Sequence, residues 1–135
     1  MKYQLGIIGA GKIGEAILSG VLSQKLYAPS DIILSVRTEQ HRQDLERRYG
    51  VRAVLANREV AREAALVLLS VKPRSVIETL QEIADLLHEG SVLVSVAAGV
   101  PLEAIQSRLA KKVPVVRAMP NLAVSVGEGM TVLTP

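Results

Sequence analysis

Cysteine is missing from all 135 residues, which excludes a disulfide framework and any thiolate metal site. That absence suits a reducing compartment, and we expect a cytoplasmic protein. Aromatic residues make up only 2% of the chain, with no Phe and no Trp. The core must therefore be assembled from Val, Leu, Ile and Ala, small branched residues that suit a parallel sheet covered on both faces. The same scarcity leaves little surface for stacking nucleobases, and the net charge of +3 is mild. Neither a nucleic-acid partner nor a membrane partner is expected. His41 and His88 stand far apart without neighbours at ligand spacing, so no metal is expected either. The first apolar run follows Lys2 and breaks at Gly9-Ala10-Gly11, too early for a signal-peptide core, and no later run approaches a membrane span. What is present is 49% hydrophobic and 21% charged residues, the balance of a soluble globular chain. Arg37, Arg42, Arg47, Arg48 and Arg52 bunch together, mostly as a solvated helix face.

Apolar strand-like runs alternate with stretches of helical period. Strands are expected at 4–8, 32–36, 52–55, 66–71, 91–96, 113–118 and 129–133. Helices are expected at 12–25, 39–49 (stopped by Gly50), 57–63 with Asn57 as its N-cap, 73–87 and 101–109. Alternation of this kind predicts right-handed crossovers and an α/β fold with a mostly parallel sheet and helices on both faces.

Gly9-Ala10-Gly11-Lys12-Ile13-Gly14 spells G-x-G-x-x-G between the first strand, ending at Ile8, and the first helix. There the pattern has a mechanism. Gly9 permits the tight turn, Gly11 lets backbone approach a pyrophosphate, and Gly14 lets the helix lie close to the strand. The first helical N–H groups and the positive end of the helix dipole face the phosphates. The fold class is thus a Rossmann-type, doubly wound dinucleotide-binding domain.

The adenosine ribose is selected about 20 residues beyond the last glycine, where NAD-binding chains carry Asp or Glu. This chain reads Ser35-Val36-Arg37-Thr38, with no carboxylate before Glu39. Val36 cannot hold a pair of ribose hydroxyls. Arg37 can bond a 2′-phosphate, with Thr38 adding a hydroxyl. The competing reading is an exposed loop arginine. The cofactor expected from these residues is NADPH, with NADH binding more weakly.

Four further segments recur in order: Ser70-Val71-Lys72-Pro73, Ser95-Val96-Ala97-Ala98-Gly99-Val100, Arg117-Ala118-Met119-Pro120-Asn121 and Gly127-Glu128-Gly129-Met130-Thr131. Taken with the glycine loop, the set resembles the pyrroline-5-carboxylate reductases over the whole chain. The resemblance implies NADPH-dependent reduction of 1-pyrroline-5-carboxylate to L-proline, a small imino acid substrate and a homo-oligomer in the full-length form. It places Asn57 at the adenine end of the cofactor, where a helix cap is the competing role. It sets Val71, Lys72 and Pro73 beside the ribose and nicotinamide. Ala97, Ala98 and Gly99 let backbone approach the nicotinamide, while Met119, Pro120 and Asn121 form the lip of the substrate pocket. No residue is singled out as a nucleophile or general acid, because the cofactor carries the chemistry. Ile13 stands where the family often has Met, and Asn121-Leu122-Ala123 replaces an Asn-Thr-Pro run. Residues 1–135 read as the dinucleotide-binding domain alone, without the helical dimerisation domain of the family. Other NADP-dependent reductases, of the β-hydroxyacid dehydrogenase or deazaflavin-dependent type, and a non-catalytic nucleotide-binding relative remain as alternatives.

Overall fold

A computed structural model describes residues 2–97, 99–109, 112–120 and 130–134, with residues 119, 120 and 130–134 described by their backbone. Seven strands form one sheet: β1 (Tyr3–Ile8), β2 (Ile32–Ser35), β3 (Arg52–Val54), β4 (Ala64–Leu69), β5 (Val92–Ser95), β6 (Val115–Pro120) and β7 (Met130–Thr134). Their order is β3-β2-β1-β4-β5-β6-β7. All pairings are parallel except that of β7 with β6. The strand order reverses at β1, so the loops after β1, β2 and β4 open around one crevice.

Side-chain alternation splits the core in two. Leu5, Ile7, Ile32, Leu34 and Leu68 face one side, under α1 (Lys12–Ser23) and α2 (Glu39–Tyr49). Ile8, Ile33, Val67, Leu69 and Leu93 face the other, under α3 (Asn57–Glu63), α4 (Val76–Ile83) and α5 (Leu102–Gln106). Both faces are covered, as the apolar strands require. Space is tightest at Gly6, where an added Cβ would lie 2.6 Å from both the Ala64 Cβ and a Val60 methyl. That lets α3 run straight into β4 against β1.

Several boundaries differ from the sequence expectation. α1 ends at Ser23 rather than Lys25, because Lys25 takes a left-handed conformation (φ 56°) and the Leu26 N–H closes back on the Val21 carbonyl at 3.0 Å. This is a Schellman-type stop with Lys where Gly is usual. α4 stops at Ile83, not Leu87. Beyond it the Leu86 N–H bonds the Ile83 carbonyl in a tighter turn that lays Leu87 into the core. Its expected first turn, from Pro73, is a short 3-10 segment. α5 likewise gives way to tight turns before Leu109. β4 begins at Ala64 and ends at Leu69, so Val71 lies in the loop beyond it. Met119 and Pro120, expected in a loop after the sixth strand, are strand residues instead. Partner β5 reaches only to Arg117, whereas β7 pairs with β6 as far as Pro120. Ala98, Asn121 and the link from Pro120 to Val126 beyond its first residue lie outside the described residues, as does Gly129.

Candidate cofactor site

The tip of β1 is held from two sides. Gly9 adopts φ 80°, a conformation that costs L-residues, and an added Cβ would sit 2.6 Å from a Val71 methyl. Its N–H donates to Ser35 Oγ at 3.2 Å, and its carbonyl accepts from Ser70 Oγ at 2.8 Å. The Ala10 N–H donates to the Ser35 carbonyl at 2.9 Å. Hydroxyls at the ends of β2 and β4 therefore fix the turn that starts α1.

No side chain caps α1. Glu15 is the first helical residue whose N–H finds a backbone partner, the Gly11 carbonyl at 2.8 Å. The N–H groups of Lys12, Ile13 and Gly14 have no partner among the described residues, as at any helix start that no side chain caps. At Gly11 nothing lies within 4 Å of where a Cβ would stand. A side chain at this position would fill that space. Gly14 shows the opposite: its added Cβ would be 2.8 Å from Ser70 Oγ and 3.3 Å from Ile7. Gly9 and Gly14 thus meet the turn and close-packing demands read from the motif, and Gly11 leaves open space before the helix.

Two adjoining cavities continue from this turn. One, of about 300 Å³, is lined by Gly9, Ala10, Gly11, Val36, Arg37, His41, Ser70, Val71 and Lys72. The other, of about 480 Å³, shares Gly9, Val36, Arg37 and Val71 and runs on to Leu55, Asn57, Thr79 and Glu82. Together they form a groove from the glycine turn across the tip of β2 to α3 and α4. Leu55 lines it with an apolar side chain that is 51% exposed.

Of the residues expected to bind cofactor, Gly9, Ala10, Gly11, Val36, Arg37, Asn57, Val71 and Lys72 meet in this groove. Ile8 is fully buried and contributes its carbonyl, which accepts from the Ser70 N–H. Lys12 and Ile13 are exposed on the first turn of α1, and Pro73 is exposed just beyond Lys72. Thr38 caps α2, its Oγ1 accepting from the His41 N–H at 3.1 Å, which leaves the hydroxyl hydrogen to donate. Ala97 is buried after β5, and Gly99 is exposed with φ 75°.

Arg37 is exposed and makes no hydrogen bond or ion pair among the described residues. Asn57 is not the N-cap expected; Ala56 holds that position without a side-chain bond. The Asn57 amide is drawn away instead. Its Oδ1 accepts from Ser35 Oγ at 2.6 Å, and its Nδ2 donates to Glu82 Oε1 at 2.9 Å. Ser35, Ser70, Glu82, His41 and Leu55 were not singled out from sequence as site residues. The two serines carried a faint signal, each being the hydroxyl that ends an otherwise apolar run.

The profile of the family described as "NADP oxidoreductase coenzyme F420-dependent" matches residues 4–99. The chain belongs to this family. It is also 39% identical to a pyrroline-5-carboxylate reductase of Corynebacterium melassecola over 96% of its own length and 49% of that protein. Against the pyrroline-5-carboxylate reductase of Escherichia coli the identity is 35%, over 100% of this chain and 50% of the other. Among solved structures, a pyrroline-5-carboxylate reductase from Coxiella burnetii superposes with TM-score 0.90 at 29% identity, covering 100% of this chain and 50% of that one. The chain thus spans about half the length of the curated relatives it matches. The resemblance read from the glycine loop and the four later segments holds along the whole chain. Among the described residues no helix is long and apolar enough to cross a membrane.

Proposed function

We propose that this chain is the NADPH-binding part of a pyrroline-5-carboxylate reductase, an enzyme that reduces 1-pyrroline-5-carboxylate to L-proline. One observation carries the cofactor assignment: Arg37, unpaired among the described residues, stands at the rim of a groove whose other end is the uncapped start of α1. A 2′-phosphate and a pyrophosphate would satisfy the two ends together. The substrate assignment is supported by the likeness to reductases of that name over the full chain.

Bound NADPH supplies the hydride. The chain's own residues bind and orient it. The N–H groups of Lys12, Ile13 and Gly14 hold the pyrophosphate, Arg37 and Thr38 the 2′-phosphate, and Leu55 and Asn57 the adenine end. Val71 and Lys72 lie beside the middle of the groove. Ala97 and Gly99 lie after β5, near enough in strand order to border the nicotinamide. Met119, Pro120 and Asn121 would face the imino acid.

Donor and acceptor carbons must be held about 3–3.5 Å apart, positioning worth about 7–11 kcal/mol. On this reading the chain supplies one wall of such a pocket. We therefore expect the 135-residue chain to bind NADPH yet oxidise it negligibly when given pyrroline-5-carboxylate. Fusion to the helical domain of a pyrroline-5-carboxylate reductase should restore turnover. A rate for the chain alone within about tenfold of ~10 s⁻¹, a common enzyme median, would mean that the pocket is complete without a second domain. A fusion that binds NADPH but leaves the imino acid unreduced would contradict the substrate assignment. The family description supports a second reading, hydride exchange with a deazaflavin coenzyme. NADPH oxidation on adding the oxidised deazaflavin, and not the imino acid, would favour it.

A further inference from the structure

Ser35 is 1% exposed at the end of β2, yet its hydroxyl uses both of its capacities. It accepts from the Gly9 N–H at 3.2 Å and donates to Asn57 Oδ1 at 2.6 Å. Its carbonyl takes the Ala10 N–H at 2.9 Å. Asn57 passes the chain on, its Nδ2 donating to Glu82 Oε1 at 2.9 Å. One uninterrupted path, Gly9–Ser35–Asn57–Glu82, thus runs along the lining of the groove from the glycine turn to α4.

We infer that Ser35 is a positioning residue that couples the phosphate turn to the adenine end of the groove. This rests on the dinucleotide reading above. The hydroxyl has one hydrogen. While Asn57 takes it, an Oγ lone pair is aimed at the Gly9 N–H, and Gly9 is held in its left-handed conformation. In return, the bond to Oδ1 fixes which way the Asn57 amide faces, with Nδ2 toward Glu82. Occupation of the adenine end then stiffens the turn that receives the pyrophosphate, and the reverse. Because the path serves the half of the ligand common to both dinucleotides, it should not discriminate between them. Arg37 should discriminate, and so the two roles separate experimentally.

The test measures NADPH and NADH affinities of the wild-type chain, Ser35→Ala, Asn57→Ala and the double variant. It also follows exchange of the Gly9 amide hydrogen by NMR. Ser35→Ala should weaken both dinucleotides by a similar factor, about tenfold, and Asn57→Ala should do likewise. The double variant should lose clearly less than the product of the two, since either change breaks the same path. In Asn57→Ala, at a half-exposed position, the Gly9 amide should exchange at least about tenfold faster, although that side chain does not touch Gly9. This reading stands even if Ser35→Ala folds poorly. Ser35→Thr, which keeps the hydroxyl, should recover most of the affinity. Losses that multiply, a Gly9 amide unmoved in Asn57→Ala, or a folded Ser35→Ala that binds both dinucleotides like wild type would each overturn the coupling while leaving the dinucleotide reading intact. A wild-type chain that binds neither dinucleotide would overturn that reading and this inference with it.

Discussion

Five arginines crowd residues 37–52, and the structure sorts them into two regions. On and just beyond α2 the arginines are paired. Arg42 bridges Glu39 and Glu46, Arg48 joins Asp44 and Glu15 while lying over the Tyr49 ring, Arg47 reaches Asp44, and Arg52 reaches Glu59. At the tip of β2, Arg37 faces the groove with no such partner among the described residues. The same side chain therefore has two uses. Where carboxylates stand at i±3 and i±4, arginine closes a surface network that is worth little individually and is screened by salt. Where none stands in reach, its five donors remain for a ligand. Charge clustering alone carries no functional information; the spare donors do.

The largest effect expected from breaking this comparison comes from the other end of the groove. Gly11→Val places a branched side chain in the open space before α1, at a residue whose φ of −86° lies outside the left-handed region that favours glycine. Binding of both dinucleotides should fall at least about a hundredfold, or about 2.8 kcal/mol. Circular dichroism and the thermal midpoint should stay near wild type. Near-normal binding by the folded variant would show that the dinucleotide lies elsewhere.

Arg37→Ala sharpens the contrast directly. It should remove most of a preference for NADPH that we expect to be at least about tenfold, or about 1.4 kcal/mol, and leave NADH affinity nearly unchanged. Equilibrium titration of both cofactors reads the result. A variant that keeps the full preference would transfer the 2′-phosphate to another residue.

The smallest effect belongs to the paired region. Hydrogen bonds from Arg42 and then Gln43 lower the Glu39 carboxyl from 4.5 to about 2. Arg48 and then Tyr49 likewise hold Glu15 below its usual value against partial burial. Folded-state values that are depressed contribute stability present above the unfolded carboxylate range and lost as pH falls through the folded value. Thermal stability should therefore decline between about pH 4.5 and about pH 2. Arg42→Ala should flatten that decline slightly, because the larger cause lowering Glu39 is then gone and only the Gln43 hydrogen bond remains. The NADPH to NADH ratio should stay within about twofold, since exposed pairs do little at a distance. A large change in that ratio would erase the distinction between the two regions.

What the sequence made legible follows the same division between local and tertiary causes. The end of α2 is legible because its stop is local: Gly50 closes it at φ 73°. Its start is capped by Thr38, a role the sequence reading, which gave Thr38 to a phosphate, leaves out. The glycine loop is legible because Gly9 and Gly14 answer local constraints, a left-handed turn and a close approach of helix to strand. Asn57 was misread because a helix cap and a side chain drawn across to another strand look identical in one dimension. Its partners Ser35 and Glu82 lie 22 and 25 residues away and meet it only once the sheet has formed. The end of α4 escaped for a similar reason. Leu86 and Leu87 continue the helical apolar pattern, but the core draws Leu87 in through a tighter turn. Pairing with β7 carried Met119 and Pro120 into a strand, and no local signal marks that pairing.

The central claim is that the unpaired Arg37 and the open phosphate turn belong to one NADPH site. Calorimetric titration of the wild-type chain with NADPH and with NADH, at a single salt concentration, tests it most directly. The account predicts one site and an NADPH dissociation constant at least about tenfold below that for NADH. Equal constants for the two cofactors would contradict it.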